Sequence, residues 1–283
     1  MHVLSSRRAG YHTGMDQERK LQVFTNHWAG MGGDAGSEPI IDRCNCIERR
    51  EPGRGRRQTH FHPEHQDTSA PGWLRLLELI DEAVDDGREV FKPLVDLTAE
   101  QRRQVVTLPP AIAELKAVKH FALYRSNLVR IPPQIGEMES LEEFTPYTSY
   151  RLHWFPYEIT RCTNLVRSTM STRAVYGNYK YRSPFPKLRA TPTAAEGVDL
   201  ENLDPGAWGT TVIYTCSVCD RPFDAVELRQ VWISLHVSGH DIMPLLVNAC
   251  SAECIAALPE PAKGYVQHAH TGGPAVQQPP TRF

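Results

Sequence analysis

The chain has 283 residues, of which 41% are hydrophobic, and a formal net charge of −2 at pH 7. This length accommodates one repeat core and a small satellite domain. No apolar run approaches the length of a membrane span, and residues 1–30 lack the apolar core of a signal peptide, so we expect no membrane association and a cytoplasmic, reducing location.

Residues 1–68 are polar and glycine-containing, with few apolar side chains. Such a segment buries too little surface to offset the entropy of ordering, and we expect it to be flexible. Cys-x-Cys chelates one ion poorly, and histidine-rich tracts in flexible segments often bind nothing. Whether a metal binds here stays open for five residues of this segment: Cys44, Cys46, His60, His62 and His65.

Residues 69–106 predict a helical cap. A first helix is indicated by apolar residues at helical spacing, namely Trp73, Leu76, Leu77, Ile80 and Val84. Gly87 is a plausible stop. Thr98 followed by Gln101 matches a capping pair that opens a second helix through about Val106.

A repeat of about 23 residues occupies the middle of the chain. Its three copies begin with Thr-Leu-Pro-Pro-Ala-Ile (107–112), Arg-Ile-Pro-Pro-Gln-Ile (130–135) and Trp-Phe-Pro-Tyr-Glu-Ile (154–159). The pattern resembles the leucine-rich repeat family over residues 107–178. Units of this kind cannot bury their apolar edges alone and stack into one core. Cys162 falls in an apolar column, which predicts a buried small hydrophobe.

The copies depart from the family pattern. The family's asparagine position holds Ser126, Ser149 and Arg173, while Pro146 and Ser168 replace strand leucines. We therefore expect weaker hydrogen bonding at the bends. A truncated fourth unit beginning near Phe185, or a simple closure of the stack there, both stay open.

The resemblance implies a short strand in each unit, near residues 119–125, 142–148 and 166–172, with outward side chains on a concave face. Tyrosines beside polar residues are typical of protein recognition surfaces. We expect a protein partner to be contacted by His120, Tyr124, Arg125, Glu143, Thr145, Tyr147, Arg167 and Thr169.

Four cysteines near the C-terminus form two pairs, Cys216 with Cys219 and Cys250 with Cys254. This spacing is typical of a closed tetrahedral site for structural Zn²⁺. Between the pairs, alternating apolar residues from Val231, a turn at residues 238–241 and a second apolar run predict a hairpin. Knuckle, hairpin and a helix carrying the last two ligands resemble a treble-clef zinc finger over residues 211–258.

Local charge separates the two regions. Residues 107–190 contain twelve Lys and Arg against six Glu, whereas residues 211–258 contain two Arg against five acidic residues. The basic region could favour an acidic partner or dock the acidic zinc segment within the chain. An acidic segment repels a phosphate backbone and argues against nucleic acid as a partner. An alternative function is nucleic-acid binding or a metal-dependent treble-clef nuclease using His240, but its downstream Asn-x-x-x-His element is missing.

No hydrolase elbow, phosphate-binding loop or His-Glu-x-x-His motif is present, so we expect no enzymatic activity. The sequence predicts an α/β fold consisting of a short leucine-rich-repeat solenoid with a helical N-terminal cap and a small treble-clef-like zinc module. The predicted function is a non-catalytic interaction or scaffold protein. The predicted divisions are a flexible segment (1–68), a helical cap (69–106), repeats (107–190), a linker (191–210), a zinc-binding module (211–258) and a flexible tail (259–283).

Overall fold

The computed structural model describes residues 44, 46–47, 59–188, 215–222, 228–239 and 241–281. All of them belong to one compact unit of the chain, Asp34–Phe283. Most of the predicted flexible segment 1–68 and the whole of the predicted linker 191–210 lie outside the described residues.

Three α-helices and seven strands make up the described regular structure. The helices are α1 (Pro71–Asp86), α2 (Ala99–Gln104) and α3 (Ala252–Ala256). The strands are β1 (Val90–Phe91), β2 (His120–Ala122), β3 (Glu143–Thr145), β4 (Phe155–Pro156), β5 (Arg167–Ser168), β6 (Arg229–Ser238) and β7 (Asp241–Ala249). Short 3₁₀ helices span Pro93–Val95, Pro110–Glu114, Pro133–Glu137 and Tyr157–Arg161. None of the helices in the described part combines the length and apolarity needed to cross a bilayer.

Both helices predicted in residues 69–106 are present. Helix α1 begins at Pro71 and ends at Asp86. The residue that caps it, Gly87, has a left-handed backbone (φ 62°), and its N–H bonds the carbonyl of Val84. In α2, the Thr98 hydroxyl accepts from the backbone N–H of Gln101 at 3.2 Å, and the Gln101 side chain accepts from the Thr98 N–H at 2.9 Å. This capping box explains why so short a helix starts where it does.

The sequence repeat has a direct counterpart in a four-stranded parallel sheet of order β1-β2-β3-β5. His120 pairs with Glu143 and Glu143 with Arg167, the columns predicted from the repeat. Each unit also places one isoleucine in the core, and Ile112, Ile135 and Ile159 are all fully buried. The 23-residue period therefore reports the strand register correctly.

The bend positions are hydrogen-bonded. Ser126 Oγ and Ser149 Oγ lie 2.6 Å apart, and Ser149 Oγ donates to the carbonyl of Leu123 at 3.1 Å. Both serines are buried, and the residue before each, Arg125 and Thr148, has a positive φ. A buried serine ladder thus occupies the position that asparagine holds in the family pattern.

The predicted fold, a leucine-rich-repeat solenoid with a helical cap and a treble-clef-like zinc module beside it, is wrong. The described residues form one parallel and one mixed sheet with three helices, and no solenoid is recognised among them. The strands of the parallel sheet have only two or three residues, and Pro146, which lacks an N–H, directly follows β3. The third unit has a second short strand, β4, at its opening. It lies outside the parallel sheet, to which this unit contributes β5, and it pairs in parallel with β7.

The mixed sheet, of order β4-β7-β6, is built on the predicted hairpin. Strands β6 and β7 pair antiparallel from Arg229↔Ala249 to Ser238↔Asp241. One face of the hairpin, including Val231 and Leu245, packs into the same core as the repeat isoleucines. Because the core is continuous, the cysteine-bearing segment is an integral part of the repeat region and not a satellite.

The other face of the hairpin is also covered. Trp232 is fully buried in a second cluster with Trp154, Tyr176, Phe185 and Leu188. Its indole Nε1–H donates to the carbonyl of Pro186 at 2.9 Å. Phe185, which the sequence left as a possible fourth unit, thus closes this second cluster.

The described part of the C-terminal tail runs along β6. His270 and Trp232 exchange two backbone hydrogen bonds of 2.7 and 3.0 Å, and the Leu188 N–H bonds the carbonyl of Thr271 at 2.7 Å. Gly272 (φ 72°) allows the close approach, because a Cβ there would lie 2.1 Å from the Pro186 carbonyl oxygen. These contacts cover backbone groups that β6 would otherwise present to solvent.

Acid should weaken this attachment through His270. Burial, with a smaller contribution from His268, lowers the pKa of His270 to about 4. A histidine with a depressed folded-state pKa contributes its full stability above pH 6.5, its ordinary pKa, and loses it as the pH falls towards 4. We expect the free energy of unfolding to fall by up to about 3 kcal/mol more in the wild type than in His270→Asn over this range.

Urea unfolding at pH 7, 5.5 and 4.5 measures this difference. Every other titrating group is common to the two proteins and cancels. A wild-type-minus-variant difference that does not change with pH would contradict the prediction.

Candidate metal centres and sheet face

The four C-terminal cysteines converge on one point. Cys216 and Cys219 lie in a tight turn closed by the Thr215↔Pro222 bridge, and Asp220 takes a positive φ to complete it. Cys250 follows β7, and Cys254 lies in α3, whose N-cap Ser251 accepts from the Cys254 N–H at 3.2 Å. All four Sγ atoms lie within 4.8 Å of one another, so this four-cysteine cluster could hold a metal ion.

The spacing and surroundings suit thiolate ligands. Cys250 Sγ lies 3.6 Å from the Sγ atoms of both Cys219 and Cys254. Tetrahedral Zn²⁺ with Zn–S bonds of about 2.3 Å requires S–S separations of about 3.8 Å. The Arg221 guanidinium, 3.4 Å from Cys219 Sγ, lowers the pKa of the Cys219 thiol to about 6. Backbone N–H groups of Val218 and Cys250 point at Cys216 Sγ, each at 3.4 Å.

The four-cysteine cluster is held against the repeat region by polar contacts. Ser217 donates its hydroxyl to the buried carboxyl of Glu158 at 2.7 Å and accepts from the Asn248 N–H at 2.9 Å. Burial raises the pKa of Glu158. Arg161 pairs with Asp220. The basic repeat region therefore does contact the acidic cysteine-bearing segment within the chain.

A second group of metal-binding side chains, the cysteine–histidine cluster, consists of Cys44, Cys46, His62 and His153, whose ligand atoms also lie within 4.8 Å of one another. His153 Nε2 lies 3.0 Å from Cys44 Sγ and 2.9 Å from Cys46 Sγ. His62 Nε2 lies 3.4 Å from Cys46 Sγ. This cluster could hold a metal ion too.

The two cysteines of the cysteine–histidine cluster shift each other's pKa in opposite directions. The two sulfurs are 2.9 Å apart, and the hydrogen bond shared with Cys46 lowers the pKa of the Cys44 thiol to about 2. The same contact raises the pKa of the Cys46 thiol. The thiolate is the form of cysteine that binds a metal.

Sequence reasoning named three of these four residues and missed the fourth. Cys44, Cys46 and His62 come together, whereas His60 and His65 are exposed and lie outside the cluster. His153 lies in the repeat region, buried to 2% exposure. Its one sequence signal is an ionisable residue inside the apolar run Leu-His-Trp-Phe (152–155).

The residues predicted to contact a partner are not equally placed. His120, Glu143 and Arg167 form one row, with His120 Nε2 and Arg167 3.6 and 3.7 Å from the Glu143 carboxylate. Tyr124 and Tyr147 lie four residues further along their units than His120 and Glu143, and their rings stack with centroids 6.1 Å apart.

Thr145 was wrongly included among the residues predicted to contact a partner. It is fully buried, and its hydroxyl lies 3.4 Å from His120 Nε2, so the side chains around it leave no surface for a partner to contact. Arg125 and Thr169 are half-buried, and Tyr147 and Arg167 are exposed. We refer to His120, Tyr124, Glu143, Tyr147 and Arg167 as the sheet face.

Two further predicted positions have clear outcomes. Cys162 is buried and donates its thiol to the Ile135 carbonyl at 3.2 Å, which confirms the prediction of a small core residue. Burial raises the pKa of Cys162 to about 12. His240, the residue of the nuclease alternative, lies outside the described residues.

No protein-family model matches this chain, and none of the curated proteins compared with it is significantly similar. The functional assignment therefore depends on the geometry of the two clusters and the sheet face.

Proposed function

We propose that this protein is a non-catalytic binding protein whose sheet face contacts another protein and whose four-cysteine cluster holds a structural Zn²⁺. The observation that carries the binding role is the stacked pair of Tyr124 and Tyr147 in register on neighbouring units. Rigid aromatic rings supply contact area at low entropic cost, and tyrosine is enriched among residues that dominate interface energies.

The polar row beside the tyrosines supports the same role. His120, Glu143 and Arg167 follow one another across adjacent strands, so a partner meets a row of polar groups next to an aromatic anchor. Burial lowers the pKa of His120, which keeps its imidazole neutral near pH 7. The Glu143 carboxylate and the Arg167 guanidinium are then the charges that set partner orientation.

Zinc is the metal that the four-cysteine cluster favours. Four thiolates are soft ligands with tetrahedral spacing, the combination that structural Zn²⁺ prefers. A shell of four protein ligands leaves no position for water or substrate, so the ion would stabilise the fold and not activate a nucleophile. Ser217 bonds Glu158, and Asp220 pairs with Arg161. These two contacts join the four-cysteine cluster to the repeat region that carries the sheet face.

The binding role is tested by comparing two double variants. The tagged wild type captures the partner from extracts of the native cell, and the identified partner is then titrated against Tyr124→Ala/Tyr147→Ala. We expect affinity to fall at least about tenfold, since interface tyrosines are common energetic hot spots.

The matched control is Tyr179→Ala/Tyr181→Ala, which removes two exposed tyrosines outside the sheet face. It should bind as the wild type does. Equal affinity of both double variants, or a loss confined to the control, would remove the sheet face as the binding surface.

A further inference from the structure

We propose that Cys44, Cys46, His62 and His153 form a second Zn²⁺ site that fastens the described N-terminal residues to the repeat region. This site is independent of the four-cysteine cluster and of the binding role proposed above. Its ligands come from three places: Cys44 and Cys46, the segment 59–66, and the residue directly before the third repeat.

The Nδ1 hydrogen bonds of both histidines favour the tautomer that a metal requires. His62 Nδ1 lies 3.0 Å from the Glu64 carboxylate, and His153 Nδ1 lies 2.5 Å from the carbonyl oxygen of Ala174. Since each Nδ1 has an acceptor, each Nδ1 carries the proton, and the Nε2 lone pairs face the two sulfurs. Metal-bound histidines in proteins are oriented by this kind of second hydrogen bond.

The surrounding residues hold the ligands in place. Arg130 is 1% exposed and donates to the backbone carbonyls of His62 at 3.0 Å and Glu64 at 2.8 Å. The Glu64 carboxylate also pairs with Arg151, which donates to Asn127 Oδ1 at 2.9 Å. Burying an arginine side chain costs free energy unless its N–H groups are hydrogen-bonded. Arg130 makes these bonds to the backbone of the segment that carries His62, and they fix the position of that ligand.

The donor set favours zinc. Two sulfurs and two imidazoles are the ligands of many structural zinc sites, with bonds of about 2.3 Å to sulfur and about 2.0 Å to nitrogen. These lengths require the sulfurs, now 2.9 Å apart, to separate by about 0.9 Å. In the four-cysteine cluster, Cys219 Sγ and Cys250 Sγ are 3.6 Å apart, already close to the separation that tetrahedral zinc requires.

An ion here would have a structural consequence at the second core cluster. Between the ligands Cys46 and His62, Ile47 bridges to Thr59, and the His60 N–H bonds the Cys46 carbonyl at 3.1 Å. Phe61 stacks on Trp232 with centroids 5.7 Å apart and meets Trp154 edge-on at 6.1 Å. Losing the ion should therefore loosen Phe61 from two tryptophans, which changes the tryptophan fluorescence.

The metal content of the reduced, full-length protein tests the proposal. We expect two equivalents of Zn²⁺ per chain in the wild type, one for each cluster, and one in His153→Ala. The matched controls, His60→Ala and His65→Ala, lie in the same histidine tract outside the cluster and should keep two. One equivalent in the wild type that His153→Ala retains, or equal loss in His65→Ala and His153→Ala, would overturn the second site.

Cobalt substitution separates this proposal from the proposed ion at the four-cysteine cluster. With Co²⁺ as the probe, His153→Ala should lose the visible bands of a two-sulfur, two-nitrogen site and keep those of a four-sulfur site. Cys216→Ser/Cys219→Ser should do the reverse. A His153→Ala spectrum equal to that of the wild type contradicts the second site alone, whereas loss of only the four-sulfur bands in the cysteine variant supports both.

Glu64→Gln tests the positioning role with the ligands intact. Mutation of such outer-shell partners commonly costs about 10- to 100-fold in metal affinity. In Glu64→Gln we expect the Zn²⁺ affinity of the second site alone to fall by this factor, and competition with a chelator measures the change. In excess Zn²⁺ the variant should still bind two equivalents. Glu78→Gln, which alters an exposed ion pair on α1, is the control. Unchanged affinity in Glu64→Gln would show that the carboxylate does not position His62.

Discussion

Replacing Cys216 and Cys219 with serine should abolish the cooperative unfolding transition of the protein or lower its midpoint by about 20 °C or more. Zinc binding to a structural four-ligand site contributes about 10–16 kcal/mol in small zinc domains at neutral pH. A folded domain has only about 5–15 kcal/mol of net stability. The contribution of the ion is therefore comparable to the stability of the whole compact unit.

The effect should extend beyond the cysteine turns because of where they are attached. The Cys216–Cys219 turn is bonded to β7 through Ser217 and Asn248, and β7 pairs with β4 of the third repeat. Releasing the turn frees one end of the hairpin, whose apolar residues share the core of the repeats.

Circular-dichroism melting with metal analysis measures this prediction. Cys162→Ala is the matched control, since it removes a buried thiol that lies outside both clusters. It should retain the full metal content and melt close to the wild type. A Cys216→Ser/Cys219→Ser variant that melts with the wild-type midpoint would rule out a structural ion at the four-cysteine cluster.

Trp232→Ala should lower the free energy of unfolding by about 3–5 kcal/mol, the range for deleting a large aromatic from a core. The indole is fully buried and contacts the rings of Phe61, Trp154, Tyr176 and Phe185 at centroid distances of 5.6–6.0 Å. Removing it leaves a cavity where the hairpin, the segment 184–188 and the tail meet.

Trp232→Phe separates packing from hydrogen bonding. Phenylalanine keeps most of the ring contact but leaves the Pro186 carbonyl without the indole N–H that now bonds it at 2.9 Å. We expect a smaller loss of about 1–3 kcal/mol for this change. Urea unfolding measures both variants, with Tyr181→Ala as an exposed aromatic control. Equal stability of Trp232→Ala and Tyr181→Ala would contradict the assignment of Trp232 as the centre of the second core.

Features that depend on neighbours along the chain were predicted well. The pair spacing of Cys216 with Cys219 and of Cys250 with Cys254 brings four sulfurs together. The Thr98–Gln101 capping box and the Gly87 stop are visible in the sequence because each is a local hydrogen-bonding pattern. The strand register of the repeats also followed from the 23-residue period, because one repeat length fixes which residues of neighbouring units lie side by side.

Features that depend on distant pairing were predicted poorly. Nothing local in Phe155–Pro156 predicts that this segment forms β4 and pairs with β7, about ninety residues later, since the equivalent segments of the first two units form no strand. Trp232 alternates along β6 with Val231 and Ile233, which face the repeat core, and its own face is covered by the tail and the segment 184–188. The solenoid prediction was wrong because the 23-residue period describes the residues within each unit. It does not predict which distant segments pair with that unit.

The same distinction applies to the metal centres. The sequence by itself determined the four-cysteine cluster. Each pair of cysteines is already close together within its own short turn, so only one long-range contact is needed to bring the two pairs together. The cysteine–histidine cluster was decided by the tertiary structure, since His153 lies more than a hundred positions from Cys44 along the chain and reaches it only after the repeats have folded. The spacing of ligands within one turn can be read from the sequence. A contact between residues far apart in the chain depends on the free energy of the whole packed core.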